Sequence, residues 1–141
     1  MTDGRGLPLS AAVEAGQAHD LRGAAALLDS VRVPGQRGRP RRYPNALAGD
    51  KSYSRRPMRA WCRQHRTSAV LPRRADARPV RGRRFDRVRY RQRHVIECTV
   101  GHLKEFHRVA FRADKLAVRY RAWAVLGMIR LILRRHFSNT A

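Results

Sequence analysis

Four side chains on one predicted helix have the types and the spacing that suit chemistry on phosphate groups. They are Tyr90, Arg93, Glu97 and Lys104. At about 100° per residue, a continuous helix would place all four within a stripe roughly 60° wide, with the apolar residues of the segment on the opposite side. A single carboxylate among cations, in a chain with a formal net charge of +22, indicates metal-assisted chemistry on a polyanion.

A second carboxylate, Asp50, follows the short apolar segment 46–49, which predicts a buried strand. Open α/β sheets place their sites beyond the carboxyl ends of strands, and Gly49 would allow a close approach of the backbone there. Two or three converging carboxylates can hold two divalent ions about 3.5–4 Å apart. Oxygen ligands favour Mg²⁺ or Mn²⁺. Taken singly, Asp50 also fits an ordinary turn, and Glu97 also fits a surface ion pair with Arg93.

The overall charge predicts a nucleic-acid partner. Lys and Arg number 32 against ten Asp and Glu, and only three of the 32 are Lys. Arg forms bidentate contacts with phosphate and stacks on bases. A membrane surface is not expected as the partner, because the charge is not confined to one amphipathic helix. Cys62 and Cys98 provide neither a disulfide framework nor a zinc spacing, and the first six residues lack the apolar segment of a signal peptide, so a cytoplasmic location is expected.

Several of these cations are candidates for direct contact with DNA. Arg93 and Lys104 would contact phosphates, and Tyr90 would hydrogen-bond a phosphate or stack on a base. Solvated helix surface and simple packing are the alternatives. A basic run in a Pro- and Gly-rich segment could insert arginines into a minor groove, with a flexible basic loop as the alternative; its arginines are Arg37, Arg39 and Arg41.

The order of predicted elements favours one α/β domain spanning residues 1–141. Two basic stretches, residues 34–42 and 72–84, interrupt it and are predicted to be a linker and a mobile loop. The predicted strands are 7–15 after a turn at Asp3, then 46–49 and 68–71. The predicted helices are 21–31 capped by Asp20, from Ser52 or Ser54 to 65, 86–107, and a last helix capped by Asp114 that runs to 136.

The spacing Tyr90-x₂-Arg93-x₃-Glu97-x₆-Lys104 resembles the signature of bacterial insertion-sequence transposases of the DDE type. The segments 3–9, 15–20, 45–53 and 97–117 are similar to the same family. The resemblance implies an RNase H-like fold, a two-metal site for Mg²⁺ or Mn²⁺, and DNA strand cleavage followed by strand transfer on transposon ends and target DNA. It also implies that Asp50 is the second catalytic acid, that Glu97 is the third, and that Tyr90, Arg93 and Lys104 contact DNA.

One feature of the family is not matched. Its first catalytic Asp lies on a strand upstream of the turn that Asp3 matches. The chain is therefore expected to be the C-terminal part of a catalytic domain: a partial RNase H-like fold that lacks the first strand or strands and has long C-terminal helices. Such a chain would be inactive alone and marginally stable, and an upstream polypeptide would supply the missing Asp and the DNA-recognition region. A homo-oligomer and association with the bacterial nucleoid fit this interpretation. The alternatives are a non-catalytic basic DNA- or RNA-binding protein and a decayed insertion-sequence remnant.

Overall fold

Helices and a small parallel sheet make up the part of the chain that the computed structural model describes, residues 1–14, 21–35, 37–73 and 85–138. This mixture is consistent with the predicted α/β class. The residues form two compact units, a sheet unit (Ala18–Arg93) and a helical unit (Met1–Gln17 with His94–Ala141). The elements are α1 Leu21–Ser30, β1 Ala46–Ala48, α2 Arg56–Gln64, β2 Ser68–Val70, α3 Arg87–Arg91, α4 His94–Lys104, α5 His107–Ala110 and α6 Ala117–Ser138.

The sheet unit is built around β1 and β2, which pair in parallel with Ala46 opposite Ser68 and Ala48 opposite Val70. Both strands were predicted, and both are confirmed to within one residue at their ends. The expected burial of the first strand is wrong, because Ala46 and Leu47 are half-buried and Ala48 is exposed. Apolar residues at helical spacing on α2 supply much of the core beneath them. Among the residues of this unit that the structure describes, the buried apolar ones are Leu28, Met58, Trp61, Cys62, Val70 and Leu71.

The predicted serine cap of α2 is wrong. The N-cap residue is Arg55, and it makes no side-chain capping bond. Ser54 instead donates its hydroxyl to the carbonyl oxygen of Pro72, just beyond β2. Ser52 hydrogen-bonds Asp50. Both hydroxyls therefore stabilise the loops at the carboxyl end of the sheet, and Pro57 in the first turn supplies a helical φ without needing a capped N–H.

Backbone hydrogen bonds close the base of the loop that contains the basic segment 34–42. Val33 and Arg41 exchange two backbone hydrogen bonds, with N···O distances of 3.0 and 2.8 Å. Gly38 has a φ of 86°, a conformation that glycine adopts without strain. Asp20, the predicted cap of α1, and residues 74–84 of the second basic segment lie outside the described residues.

In the helical unit, the turn at Asp3 closes a short hairpin. Thr2 and Pro8 form an antiparallel bridge, and the Leu9 N–H donates to the Met1 carbonyl at 3.0 Å. Residues 1–3 therefore form the preceding arm of this hairpin. The strand predicted over 7–15 is limited, within residues 7–14, to the bridge at Pro8.

The single helix predicted over 86–107 is also wrong, because these residues form α3, α4 and the start of α5. The first break lies at Gln92 and Arg93, where the Arg93 N–H donates to the Tyr90 carbonyl three residues back. The second break lies between α4 and α5. There Leu103 and Phe106 approach α6 where it carries Gly127, and a Cβ at that glycine would lie 3.0 Å from Leu103 Cδ2 and 3.5 Å from Phe106 Cδ2. The signature residues therefore do not share one helix.

The last helix, α6, begins later than predicted. Asp114 does not cap it: the helix starts at Ala117, and Asp114 Oδ2 lies 3.8 Å from Arg108 Nη1. Residues Ala124, Gly127 and Met128 are buried, whereas apolar residues on the opposite side are exposed, including Val118, Leu126, Ile129, Leu133 and Phe137. None of the described helices is both long and apolar enough to cross a membrane.

Replacing Gly101 with alanine is expected to stabilise the helical unit. Gly101 lies inside α4, and a Cβ there would meet nothing within 4 Å. Glycine inside a helix costs about 0.5–1 kcal/mol relative to alanine. The urea midpoint of unfolding should therefore rise for Gly101→Ala. Gly127→Ala is the matched control, because its Cβ would press on Leu103, and it should not give the same gain. A lower midpoint for Gly101→Ala would contradict the placement of this residue.

Candidate functional site

Asp50 lies directly beyond the carboxyl end of β1, where the sequence predicted a site. Its Oδ1 accepts hydrogen bonds from the Ser52 N–H at 2.8 Å and from the Ser52 hydroxyl at 2.6 Å. A carboxylate that accepts a bond from the N–H two residues later forms an Asx turn. The interpretation of Asp50 as a turn residue is therefore confirmed. The turn holds an exposed carboxylate in a fixed orientation at the edge of the sheet.

Gly49 determines how closely this turn approaches the core. A Cβ at Gly49 would lie 2.9 Å from Leu71 Cδ2 and 3.4 Å from Tyr53 Cβ. Leu71 is only 2% exposed, so it has little room to move away. The close backbone approach expected from the Gly49-Asp50 pair is confirmed, because only a residue without a side chain lets the chain leave β1 along this path.

Sequence reasoning missed Arg59, which fixes the neighbouring end of β2. Its Nη2 donates to the Leu71 carbonyl at 2.9 Å and to the Ser54 hydroxyl at 2.9 Å. Burial lowers the pKa of Arg59, and the charge of Arg73 lowers it further. Arg59 is one of many arginines in the sequence, and its spacing on α2 carries no signal that it would bind loop carbonyls.

The environment of Asp50 favours its ionised form. The side-chain hydrogen bond from Ser52 lowers the pKa of Asp50 most, against the opposing effect of partial burial. Backbone hydrogen bonds from Ser52 and Tyr53 and the positive charge of Arg93 lower it further. The second candidate acid and the signature arginine therefore belong to one electrostatic environment within the sheet unit.

Removing the Ser52 hydroxyl is expected to raise the pKa of Asp50. The pKa of Asp50 in the folded chain lies below the ordinary 3.8. Ionised Asp50 therefore stabilises the fold above about pH 3.8, and this stabilisation is lost as the pH falls through the folded-state pKa. In Ser52→Ala the stabilisation from this ionisation should be smaller, and its loss should be complete at a higher pH. NMR titration of the Asp50 carboxyl carbon measures the shift, with Ser30→Ala as a control because Ser30 bonds a backbone carbonyl in α1. An unchanged titration in Ser52→Ala would contradict the hydrogen-bond geometry.

Tyr90 and Arg93 lie together at the end of the sheet unit. The Arg93 guanidinium carbon is 5.6 Å from the centroid of the Tyr90 ring, a cation–π distance. Phe85 packs on Tyr90, and the centroids of their two rings are 5.1 Å apart. The pair presents a half-buried aromatic ring beside a positive charge, an arrangement suited to a base and its phosphate.

Glu97 and Lys104 belong to the helical unit and lie at opposite ends of α4. Glu97 is in the first turn and Lys104 in the last turn, and both are exposed. Seven residues apart, they share one face of the helix and are separated by about 10 Å along its axis. Asp50 lies in the other unit, so the convergence of Asp50 and Glu97 stays a prediction.

The three arginines of the basic loop differ in their surroundings. Arg37 and Arg39 are exposed in the loop. The Arg41 guanidinium donates to the Asn45 side-chain oxygen, and its Nε lies 3.4 Å from the Tyr43 carbonyl. Arg41 therefore stabilises the base of the loop, and contact of the three arginines with DNA stays a prediction.

The donor chemistry suits a hard divalent cation, although no full ligand set is assembled. Within residues 1–14, 21–35, 37–73 and 85–138, no three His, Cys, Asp or Glu side chains cluster closely enough to hold a metal ion. Asp50 offers an ionised carboxylate that is open to solvent, and Glu97 offers an exposed one. Carboxylate oxygens are the ligands that Mg²⁺ and Mn²⁺ prefer.

The net charge of +22 and the exposed carboxylate beyond β1 are consistent with a protein that acts on nucleic-acid phosphates. In a comparison with family models, the model described as a transposase DDE domain matches residues 1–132. The chain therefore belongs to the DDE transposase family. This family generally uses divalent metal ions, and its domain implies a DNA partner. No curated protein and no solved structure matches the chain.

Proposed function

We propose that this chain supplies the second and third acids of a DDE transposase catalytic domain with an RNase H-like fold. Asp50 would be the second acid and Glu97 the third. The observation that supports the proposal most strongly is the match of the transposase DDE domain to residues 1–132. The position of Asp50 beyond β1, with the charge of Arg93 acting on it, is consistent with that assignment.

Each signature residue then has a role that its chemistry suits. Asp50 and Glu97 would hold Mg²⁺ or Mn²⁺ in a two-metal site, and the bound metals would activate the attacking oxygen and stabilise the leaving oxygen at phosphorus. Arg93 and Lys104 would contact DNA phosphates and position the scissile strand. The Tyr90 ring, packed under the Arg93 guanidinium, would stack on a base.

A DDE site also needs a first acid. The resemblance puts that acid on a strand preceding the turn at Asp3, so we propose that a polypeptide segment upstream of residue 1 supplies it. On this proposal, residues 1–141 alone bind DNA and do not cleave it. The transposon ends and the target DNA are the partners of the completed domain, which acts in the bacterial cytoplasm on nucleoid DNA.

The proposal is tested by strand transfer with and without the upstream segment. Residues 1–141 would be assayed alone and fused to the polypeptide encoded immediately upstream, on DNA carrying the ends of the native element. We expect strand transfer from the fusion only, in the presence of Mg²⁺ or Mn²⁺ and not in EDTA. Metal-dependent transfer by residues 1–141 alone would overturn the proposal that the first acid comes from elsewhere. Absence of transfer from a fusion that binds the ends would overturn the catalytic assignment.

A non-catalytic basic nucleic-acid binder is the second candidate. The net charge of +22 and the exposed arginines of the basic loop favour it. Such a binder would lose affinity steeply with salt, by about 0.9 log units per log unit of salt for each phosphate contacted in duplex DNA. Asp50→Asn and Glu97→Gln would then have no effect that depends on Mg²⁺. A decayed remnant would show neither transfer nor expression from its native locus.

A further inference from the structure

A cavity in the helical unit is not used by the site described above. Its volume is about 320 Å³, and it lies between the N-terminal hairpin, α4 and α6. Cations and small polar groups form much of its wall, and among the described residues that line it none is a carboxylate. The polar residues used below are Arg5, Cys98, Thr99, His102, Arg134 and Arg135.

The hairpin wall of this cavity is held tightly against α4. Gly6 has a φ of 83°, and a Cβ there would lie 2.7 Å from Val95 Cγ1. The buried Thr99 hydroxyl donates to the Gly6 carbonyl at 2.9 Å. Because glycine alone fits this approach, the hairpin wall of the cavity has a defined position against α4.

Three arginines line the cavity on two of its sides. Arg5 lies on the hairpin, and Arg134 and Arg135 lie near the end of α6. Arg135 reaches across to the hairpin, since its Nη1 is 3.4 Å from where a Cβ of Gly6 would stand. Guanidinium groups offer planar pairs of donors that match phosphate oxygens.

Beside the cavity, Glu105 partly offsets this positive charge. The hydrogen bond between His102 Nδ1 and Glu105 Oε1, 3.0 Å long, lowers the pKa of Glu105. The charges of Arg134 and Arg130 lower it further. Glu105 therefore stays ionised near Arg134, and removing its charge should strengthen the attraction of the cavity for an anion.

We propose that this cavity binds a backbone phosphate of DNA through Arg5, Arg134 and Arg135. Its volume is at the lower end of the roughly 300–1,000 Å³ range of small-ligand sites, so one phosphate with its sugar fits and a whole duplex face does not. The proposal rests on the proposed function for the identity of the ligand as DNA. It adds a DNA contact on α6, in addition to the signature residues.

Cys98 provides a direct probe of occupancy. Cys98 is exposed in the cavity wall, whereas the only other thiol, Cys62, is 1% exposed. A thiol reagent such as DTNB should therefore label Cys98 alone under native conditions. With duplex DNA at ten times its Kd, we expect the labelling rate to fall about tenfold, because only the free fraction reacts. Cys62 stays unlabelled throughout and reports intact folding.

The arginines are tested by loss of this protection. In Arg134→Gln and Arg135→Gln, DNA at the same concentration should protect Cys98 less, and the salt slope of DNA binding should fall by about 1 per lost contact. Arg119→Gln is the matched control, because it removes the same charge from α6 outside the cavity lining. Glu105→Gln should act in the opposite direction and tighten DNA binding.

Three results would overturn the cavity proposal. They are unprotected Cys98 at saturating DNA, an equal effect of Arg119→Gln and Arg134→Gln, and protection by millimolar inorganic phosphate without protection by DNA. The last result would identify a free-phosphate site. These measurements are made in EDTA and need no catalysis. If Cys98 is not protected but strand transfer is normal, the cavity proposal fails and the proposed function stands. If Cys98 is protected but strand transfer is unaffected by Asp50→Asn and Glu97→Gln, only the catalytic assignment fails.

Discussion

Replacing Asp50 with asparagine is expected to abolish metal-dependent strand transfer by the completed domain while DNA binding is retained. Asparagine keeps an oxygen that accepts the Ser52 N–H, so the Asx turn and the local fold should persist. It removes the negative charge that a divalent ion needs. Substituting residues that only hydrogen-bond a metal's ligands already lowers metal affinity or activity by about 10–100-fold. Loss of a ligand itself should lower the rate of strand transfer by more than about 100-fold.

Glu97→Gln should produce the same loss, because both carboxylates are proposed to serve one site. Glu14→Gln is the control, since it removes an exposed carboxylate of the helical unit that does not line the cavity. Transfer rates would be measured on DNA with the native ends, and binding by fluorescence anisotropy. Near-normal transfer in Asp50→Asn or in Glu97→Gln would show that the residue concerned is not a catalytic acid.

Replacing Trp61 with alanine is expected to unfold or severely weaken the sheet unit. Trp61 is buried in α2, and its ring meets Tyr43 edge-on with centroids 5.9 Å apart. Its Nε1 donates to Asp29 Oδ1 in α1 at 3.1 Å. Truncating a buried tryptophan to alanine costs about 3–5 kcal/mol, which is a large share of the stability of a small domain.

The two tryptophans allow each unit to be followed separately. Trp61 lies in the sheet unit and Trp123 in the helical unit, with Arg108 4.8 Å above the Trp123 ring. In Trp61→Ala, denaturant unfolding followed by far-UV circular dichroism should show an early loss of structure, and Trp123 fluorescence reports the helical unit. Trp61→Phe keeps a ring and loses the hydrogen bond, so it should cost less. A midpoint in Trp61→Ala equal to that of the unchanged chain would contradict this packing.

Local chemistry in the sequence was sufficient to predict the edge of the sheet that carries Asp50. Short apolar runs bounded by turn residues predicted both strands, and the Gly49-Asp50 pair indicated a close backbone approach that Leu71 makes necessary. These features depend on residues near each other in the chain. Their physical causes, short apolar segments between turn residues and the lack of a side chain at Gly49, can be recognised without the fold.

The break in the predicted helix 86–107 could not be predicted in the same way. Helical periodicity continues through Gln92 and Arg93, and no Pro or Gly marks the break there. The second break accompanies the packing of Leu103 and Phe106 at Gly127, a contact between distant segments. The cavity of the helical unit is still harder to predict from the sequence, because Arg5 and Arg135, which both line it, are separated by most of the chain.

The central claim is that Asp50 and Glu97 bind one divalent site together. Fe²⁺ can replace Mg²⁺ at such sites and, with ascorbate and peroxide, cleaves the backbone next to its ligands. We expect cleavage near residue 50 and near residue 97 in the fusion with the upstream segment, and loss of both cuts when the fusion carries Asp50→Asn or Glu97→Gln. Persistence of the cut near residue 97 in Asp50→Asn, or of the cut near residue 50 in Glu97→Gln, would contradict the shared site.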